Sequence, residues 1–321
     1  NVENTGAGVC KVPFQGNNVT LSVMVWDGEK PGFGWDLDYG TQTGSIEFDA
    51  GDEIHDPDIV VYNGDAGTLA HVVYELKDHI YYEIWQYDIA SNAWSVFQSP
   101  TQLSDHTVSL NPNIDRISDN IAVVWTHNDE HIRGVTGDMM GNYNNVEDIY
   151  YESGWNCIEP DVALSWNQNY ANKYISVVFK LVDGIDTKLR VGKYDYDNFN
   201  YNGVYTPLDL SQNMPEAEET HPGVEFGTPR IAAYWSNAPY TNWPYQVVMV
   251  ENEDNTNFIV HGFNRWNGIL HHILNEDDYA SKLDGEHYHP MEYPSKEPVV
   301  SYFEDVNVAW AYKAPETGNW E

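Results

Sequence analysis

The chain is 321 residues long and carries 50 Asp and Glu against 15 Lys and Arg, a formal charge of −35. So acidic a surface argues against nucleic acid and anionic membranes as partners, because both bind through lysine and arginine that displace counterions. It suits solubility, a saline or calcium-rich exterior, or a cationic partner, and no run approaches the roughly 18 apolar residues that cross a bilayer as a helix.

In chain order, the first residue is Asn1 rather than Met, so a processed or excised segment is expected, with any signal peptide out of view. Cys10 and Cys157 are candidates for one disulfide in an oxidising compartment, stapling the N-terminal segment to another part of the fold; two free thiols are the alternative. Asn18-Val19-Thr20 is a glycosylation sequon. Short β-branched and aromatic runs follow at 19–26 and 45–48, separated by the Gly-rich stretch 28–44, which reads as a loop.

A signature then recurs five times: a polar residue, proline, any residue, and Ile or Val. It is Asp56-Pro57-Asp58-Ile59, Asn111-Pro112-Asn113-Ile114, Glu159-Pro160-Asp161-Val162, Thr228-Pro229-Arg230-Ile231 and Glu297-Pro298-Val299-Val300. Proline is tolerated at the start of a strand and not inside a central one, so each signature predicts a strand entry. Four strand-like runs follow Pro57, at 59–62, 71–74, 81–87 and 94–97. The same holds after Pro160 (162–166, 174–181, 189–194 and a weaker 204–208) and after Pro229 (231–235, 245–250, 258–263 and 269–274). Only 299–302 and 306–312 follow Pro298.

Four strands per repeat match a propeller blade. The reading is therefore all-β: residues 1–321 form one five-bladed β-propeller with four-stranded blades opening near 57, 112, 160, 229 and 298. The N- and C-terminal strands are expected to share one blade and so close the ring, removing exposed edges. An irregular six-bladed ring and a two-sheet sandwich are the alternatives.

Asp56-Pro57 with Ile59 and Tyr62-Asn63-Gly64 resembles the blade opening of five-bladed glycoside hydrolases of the arabinanase and β-xylosidase type (family 43). The resemblance implies an Asp base at Asp56 and a Glu acid at Glu159. It also implies a pKa-tuning Asp where this chain has Asn111, which hydrogen-bonds but supplies no negative charge. An inverting pair would stand about 6.5–9.5 Å apart, one carboxylate activating water and the other protonating the leaving oxygen. Against catalysis, the same position holds Thr228 and Glu297, and residues before a proline commonly shape turns. The favoured reading of the signature is structural.

Aromatic residues are abundant: 12 Trp, 23 Tyr and 10 Phe. Trp85, Trp125, Trp166, Trp235 and Trp310 fall inside strand runs and read as packing between blades. Trp35, Trp155, Trp243 and Trp266 fall in predicted loops beside Asn and Asp, and are candidate platforms for stacking a sugar ring.

No cofactor is required by any motif. The acidic groups Asp195/Asp197, 251–254 and 276–278 are candidates for structural calcium, though none follows an EF-hand loop, and solvated turns explain them. His221, His271, His272, His287 and His289 are weak zinc candidates without a HExxH or CxxC pattern, and His55 is a candidate base beside Asp56. No nucleophile elbow, phosphate loop or dinucleotide fingerprint occurs. The expected function is a secreted or cell-surface, non-catalytic propeller that binds a glycan or an extracellular protein, as a free module or in a larger surface assembly. The alternative is a glycoside hydrolase acting on plant- or algal-type polysaccharide.

Overall fold

A computed structural model gives the architecture. It describes residues 5–27, 31–37, 40, 42–48, 53–105, 108–166, 173–184 and 186–199. Beyond these it describes 208–209, 227–235, 244–252, 257–264, 268–274, 282–286, 299–304 and 307–312.

The described residues form strands and no helix, in six antiparallel sheets. The first sheet runs β1 (Thr5–Phe14), β2 (Asn17–Trp26), β3 (Gly32–Leu37) and β4 (Gln42–Glu47) in chain order. The second runs β5 (His55–Gly64), β6 (Gly67–Leu76), β7 (His79–Asp88) and β8 (Ala93–Gln102). The third joins β9 (Ser109–Ile117), β10 (Asn120–His127), β11 (His131–Asp138) and β12 (Glu147–Tyr151), and the fourth β13 (Asn156–Trp166), β14 (Lys173–Asp183), β15 (Asp186–Asp195) and β16 (Leu208–Asp209). The fifth contains β17 (Arg230–Trp235), β18 (Pro244–Asn252), β19 (Asn257–Asn264) and β20 (Gly268–Leu274). The last holds three strands, β21 (Lys282–Glu286), β22 (Val299–Glu304) and β23 (Asn307–Tyr312). Each is a meander in which neighbours in sequence are neighbours in the sheet, the pattern of a propeller blade. The chain divides into two compact units, residues 1–129 with 133–146, and 130–132 with 147–321.

This corrects the expected sharing of a blade by the chain ends. Among the described residues the N-terminal strands complete a four-stranded sheet by themselves, and β21–β23 form another. The sequence TGAGVCKVPF reads poorly as a strand because two glycines and a proline dilute its pattern, yet it is β1, paired residue for residue with β2. The glycines answer a close approach. A Cβ on Gly6 would lie 2.8 Å from the Asp58 Cα, and one on Gly8 would lie 3.0 Å from a Val61 methyl, so only glycine lets β1 lie against β5. The fifth signature also falls differently, because β22, which begins at Val299, is the middle strand of its sheet.

Alternation sets the cores. The sheet β5–β8 turns Ala70, Val72 and Tyr74 toward Leu21, Val23 and Phe33 of the first sheet. Its other face turns Leu69, Val73, Tyr82 and Ile84 toward Ile121, Val123 and Trp125. A two-residue period in β6 thus feeds two cores at once, which explains why the strand reads as almost continuously apolar. Tight turns take the left-handed conformations that suit twisted hairpins, as at Gln15-Gly16 (φ 49° and 84°) and Lys77-Asp78 (φ 54° and 62°). In the second unit, Val162, Leu164, Ile175, Val177, Phe179, Leu189 and Val191 are buried on the sheet that starts with β13.

Candidate functional site

Three of the five signatures are bulges inside the first strands of sheets, a finer feature than strand entries, while Thr228-Pro229 stand just before β17. Pro57, Pro112 and Pro160 lie within β5, β9 and β13. The residue before each proline is left-handed: φ is 45° at Asp56, 51° at Asn111 and 51° at Glu159. Steric clash with proline bars the preceding residue from the ordinary helical region, and a bulge absorbs the extra residue while sparing proline a ladder hydrogen bond it cannot donate. The register accordingly slips between His55 and Asp58, and again between Ile158 and Asp161.

Two of the bulges, those of β5 and β13, each present two polar groups to the next signature along the chain. In the first unit the Asn111 side-chain amide donates to Asp56 Oδ2 at 2.8 Å, and the Ile114 backbone N–H donates to Asp58 Oδ2 at 2.8 Å. In the second unit the Thr228 hydroxyl donates to Glu159 Oε2 at 2.7 Å, and the Ile231 N–H donates to Asp161 Oδ2 at 2.6 Å. The first residue of one signature thus binds the first residue of the next, and its third residue holds the fourth residue of the next. Asp161 is 5% exposed, so its bond to Ile231 satisfies a buried carboxylate and a buried amide together.

The second strand of each sheet adds a neighbour to the bulge. Opposite the residue that opens the bulge stand Glu75 in β6, paired with His55, and Lys180 in β14, paired with Ile158. Lys180 places its ammonium 2.8 Å from Glu159 Oε2. Glu75 instead brings a second carboxyl toward Asp56. Burial, and then the Asp56 carboxylate, push the Glu75 carboxyl up to about 7, with Asp78 adding to the shift and His55 opposing it. In the third sheet Thr126 stands opposite Leu110, the residue before Asn111, and both members there are neutral.

Of the residues expected to be catalytic, Asp56 and Asn111 are therefore joined directly, while Glu159 is engaged by Thr228 and Lys180. Asp56 and Glu159 belong to different compact units. Glu75 was not legible as a partner of Asp56, because only the strand register brings residues 19 apart in sequence to one bulge.

The aromatic candidates divide. Trp35 is in β3, 9% exposed, with its indole N–H donating to Asn92 Oδ1 at 3.0 Å and its ring packed on Phe33, Tyr87 and Trp94. The expected loop platform is thus a core residue. Its Gly-rich surroundings suggested a loop, but cross-strand Gly44 lies under the indole, where a Cβ would come within 2.2 Å of the ring. Trp155 occupies the turn before β13, half-buried, with the Lys188 ammonium 4.1 Å from its ring centroid. Trp243 and Trp266 lie outside the described residues, as do His221, His287 and His289. Trp125 is fully buried, and Trp85 packs edge-on against Phe33, as expected of residues between sheets.

The expected disulfide is absent, since Cys10 and Cys157 are both free thiols. Cys10 packs at the edge of the first core and Cys157 is buried opposite Leu181 in its own sheet. Burial pushes them up to about 12 and about 11, so both are poor nucleophiles. Among the described residues, no group of three or more His, Cys, Asp or Glu side chains is placed to hold a metal ion.

Two further polar groups were not foreseen. Ser109, His127 and Asp105 approach one another, but the serine hydroxyl (3.3 Å) and the carboxylate (3.9 Å) both face His127 Nδ1. A nucleophilic triad needs them on opposite ring nitrogens, so the group does not make one. His71, fully buried, bonds to the Tyr82 hydroxyl, and burial followed by Arg116 pushes its imidazole down to about 3.

No protein-family model matches the chain, and no curated protein matches it. Solved structures do. A mutant of AofleA from Arthrobotrys oligospora aligns with TM-score 0.57 and 10% identity over 99% of this chain and 84% of that one. The α-L-arabinanase of Penicillium chrysogenum, complexed with arabinobiose, gives 0.55 and 10% over 98% and 94%. The Aleuria aurantia lectin, as a mutant complexed with α-methyl-L-fucoside, gives 0.54 and 11% over 99% and 93%. At such identities the likeness carries the fold alone, and that fold is a β-propeller.

Proposed function

We propose that the chain is a non-catalytic, extracellular or cell-surface propeller that binds a glycan. The observation that carries this reading is the engagement of the signature residues. Asp56, Asn111 and Glu159, the positions that resemble an active site, serve in bonds between signatures, Asp56 with Asn111 and Glu159 with Thr228. A carboxylate tied to a lysine and a threonine, as Glu159 is, is poorly placed to give a proton to a leaving oxygen. Of the similar folds, one at a TM-score of 0.54 is named a lectin and is bound to a fucoside, beside an α-L-arabinanase at 0.55. Trp155, with Trp243 and Trp266, supplies the stacking surfaces in this reading.

The test is a glycan array probed with the wild-type chain and with Trp155→Ala, Trp243→Ala and Trp266→Ala. Binding to a defined glycan, lost in at least one variant, supports the reading; no binding to any glycan shifts it to a protein partner. The hydrolase reading keeps one support, the Glu75 carboxyl, pushed up to about 7 by burial and by the neighbouring Asp56. Release of sugar from arabinan, xylan or aryl glycosides, abolished by Glu75→Gln or Glu159→Gln, would establish it in place of the binder.

A further inference from the structure

Asn18-Val19-Thr20 is the single glycosylation sequon of the chain, for no other asparagine is followed two residues on by serine or threonine. It lies where β2 leaves the hairpin turn Gln15-Gly16. The two-residue period turns Val19 and Leu21 into the first core, so Asn18 and Thr20 are turned outward. Asn18 is exposed, and so is Pro13, its partner across the ladder. The tip around them is open, since a Cβ added to Gly16 would meet no atom within 4 Å. Asparagines at other hairpin ends are taken up by the fold. Asn63 donates to the Lys11 carbonyl and accepts from the Thr68 hydroxyl, and Asn92 accepts from Trp35 and Tyr87. The Asn18 side chain makes no such bond among the described residues.

We propose that Asn18 carries an N-linked glycan, added as the chain passes through the secretory route; this rests on the extracellular placement in the proposed function. The donor is an oligosaccharide carried on a lipid diphosphate. The Asn18 amide nitrogen attacks the anomeric carbon of the first sugar, and the new N–C bond forms as the C–O bond to the diphosphate breaks. The nitrogen gives one proton to a base of the transferring enzyme, and the lipid diphosphate leaves with the bonding pair. The motif also requires the hydroxyl two residues on. In the folded protein Thr20 Oγ1 accepts from Lys11 Nζ at 2.6 Å, and Thr20 stands opposite Lys11 in the ladder. The transfer therefore belongs to the extended chain, before β1 and β2 pair. A glycan is bulky and hydrophilic. Val19, Leu21, Val23 and Val25 hold β2 to its core from the opposite face, so the finished sheet has room for it.

Expression of the full chain behind a cleavable secretory leader in a eukaryotic host tests the proposal. Peptide mass spectrometry of the secreted protein finds a glycan on Asn18, and a glycan-releasing amidase removes it and leaves aspartate at that position. Asn18→Gln and Thr20→Ala abolish the modification. Thr20→Ser, which keeps the hydroxyl, retains it, and Asn17→Gln, at the exposed neighbour, leaves it unchanged. A secreted and folded wild-type chain with a bare Asn18, or a glycan that survives Asn18→Gln, overturns the inference, and the glycan array then still decides whether the protein is a binder. A glycosylated chain that binds nothing on the array overturns the binding reading and leaves the modification standing. Retention of the wild-type chain inside the cell without a glycan overturns the extracellular placement and the inference together.

Discussion

The bulge of β13 and the bulge of β5 share backbone, proline and bonding to the next signature, yet differ in one ladder neighbour, lysine in the first and glutamate in the second. The repeat therefore constrains geometry and leaves charge free. Where the neighbour is Lys180 the bulge is closed upon itself, a finished structural joint. Where it is Glu75 the bulge sets a second carboxyl beside Asp56, and burial together with that neighbour holds the Glu75 proton.

The sharpest way to break the comparison is to remove the lysine. Lys180→Met should leave the Glu159 carboxylate without its ion partner in a mostly buried site and cost about 3 kcal/mol, the lower end for breaking such a pair because Glu159 is a quarter exposed. Urea unfolding measures it, and a loss below about 1 kcal/mol would mean that the two bulges do not differ in kind. Asp161→Ala and Asp58→Ala remove the acceptors of Ile231 and Ile114 N–H. Each should cost about 2 kcal/mol, the penalty of an orphaned amide, and the near equality of the two losses checks that this part of the joint is common to both units.

The pH dependence separates the bulges again. The folded protein holds the Glu75 proton up to about pH 7, whereas a free glutamate releases it near 4.5. The folded state thus binds more protons across that window, and the contribution of Glu75 to stability falls as pH rises through it, by an amount of the order of 2 kcal/mol. Glu75→Gln should flatten this part of the profile. Buried Glu83, also pushed up to about 7, leaves a residual slope of the same sign. His71 works in the opposite direction, because the unfolded chain takes up a proton near pH 6.5 that the folded imidazole refuses until about 3. Its contribution is lost as pH falls. The smallest effect is a gain: Glu75→Lys should raise stability at pH 8 by about 1 kcal/mol, read by urea unfolding, because it removes a carboxyl that Asp56 repels.

The repeat was legible because its proline and its alternating apolar runs are local, and most of the strand runs read from the sequence fall inside observed strands, including 71–74 within β6 and 81–87 within β7. What escaped is set by pairing across strands. The extra N-terminal strand was lost because Gly6 and Gly8, chosen for contact with Asp58 and Val61, look like loop residues. Trp35 reads as a loop residue for the same reason, its neighbouring glycines being there to let strands and rings approach. The partners Glu75 and Lys180 have no local mark at all; the sequences around them read as ordinary strand ends, and a one-residue slip would have put other side chains at the bulge.

The bonds between signatures also bear on how the chain finds its fold. Every strand pairing within a sheet joins elements adjacent in sequence, whereas the bonds from Asn111 to Asp56 and from Thr228 to Glu159 close loops of 55 and 69 residues. Local hairpins form in microseconds, but distant contacts must first overcome the entropy of loop closure. Sheets should therefore assemble one at a time and couple late, so that weakening a coupling bond by Asn111→Ala hastens unfolding far more than it slows folding.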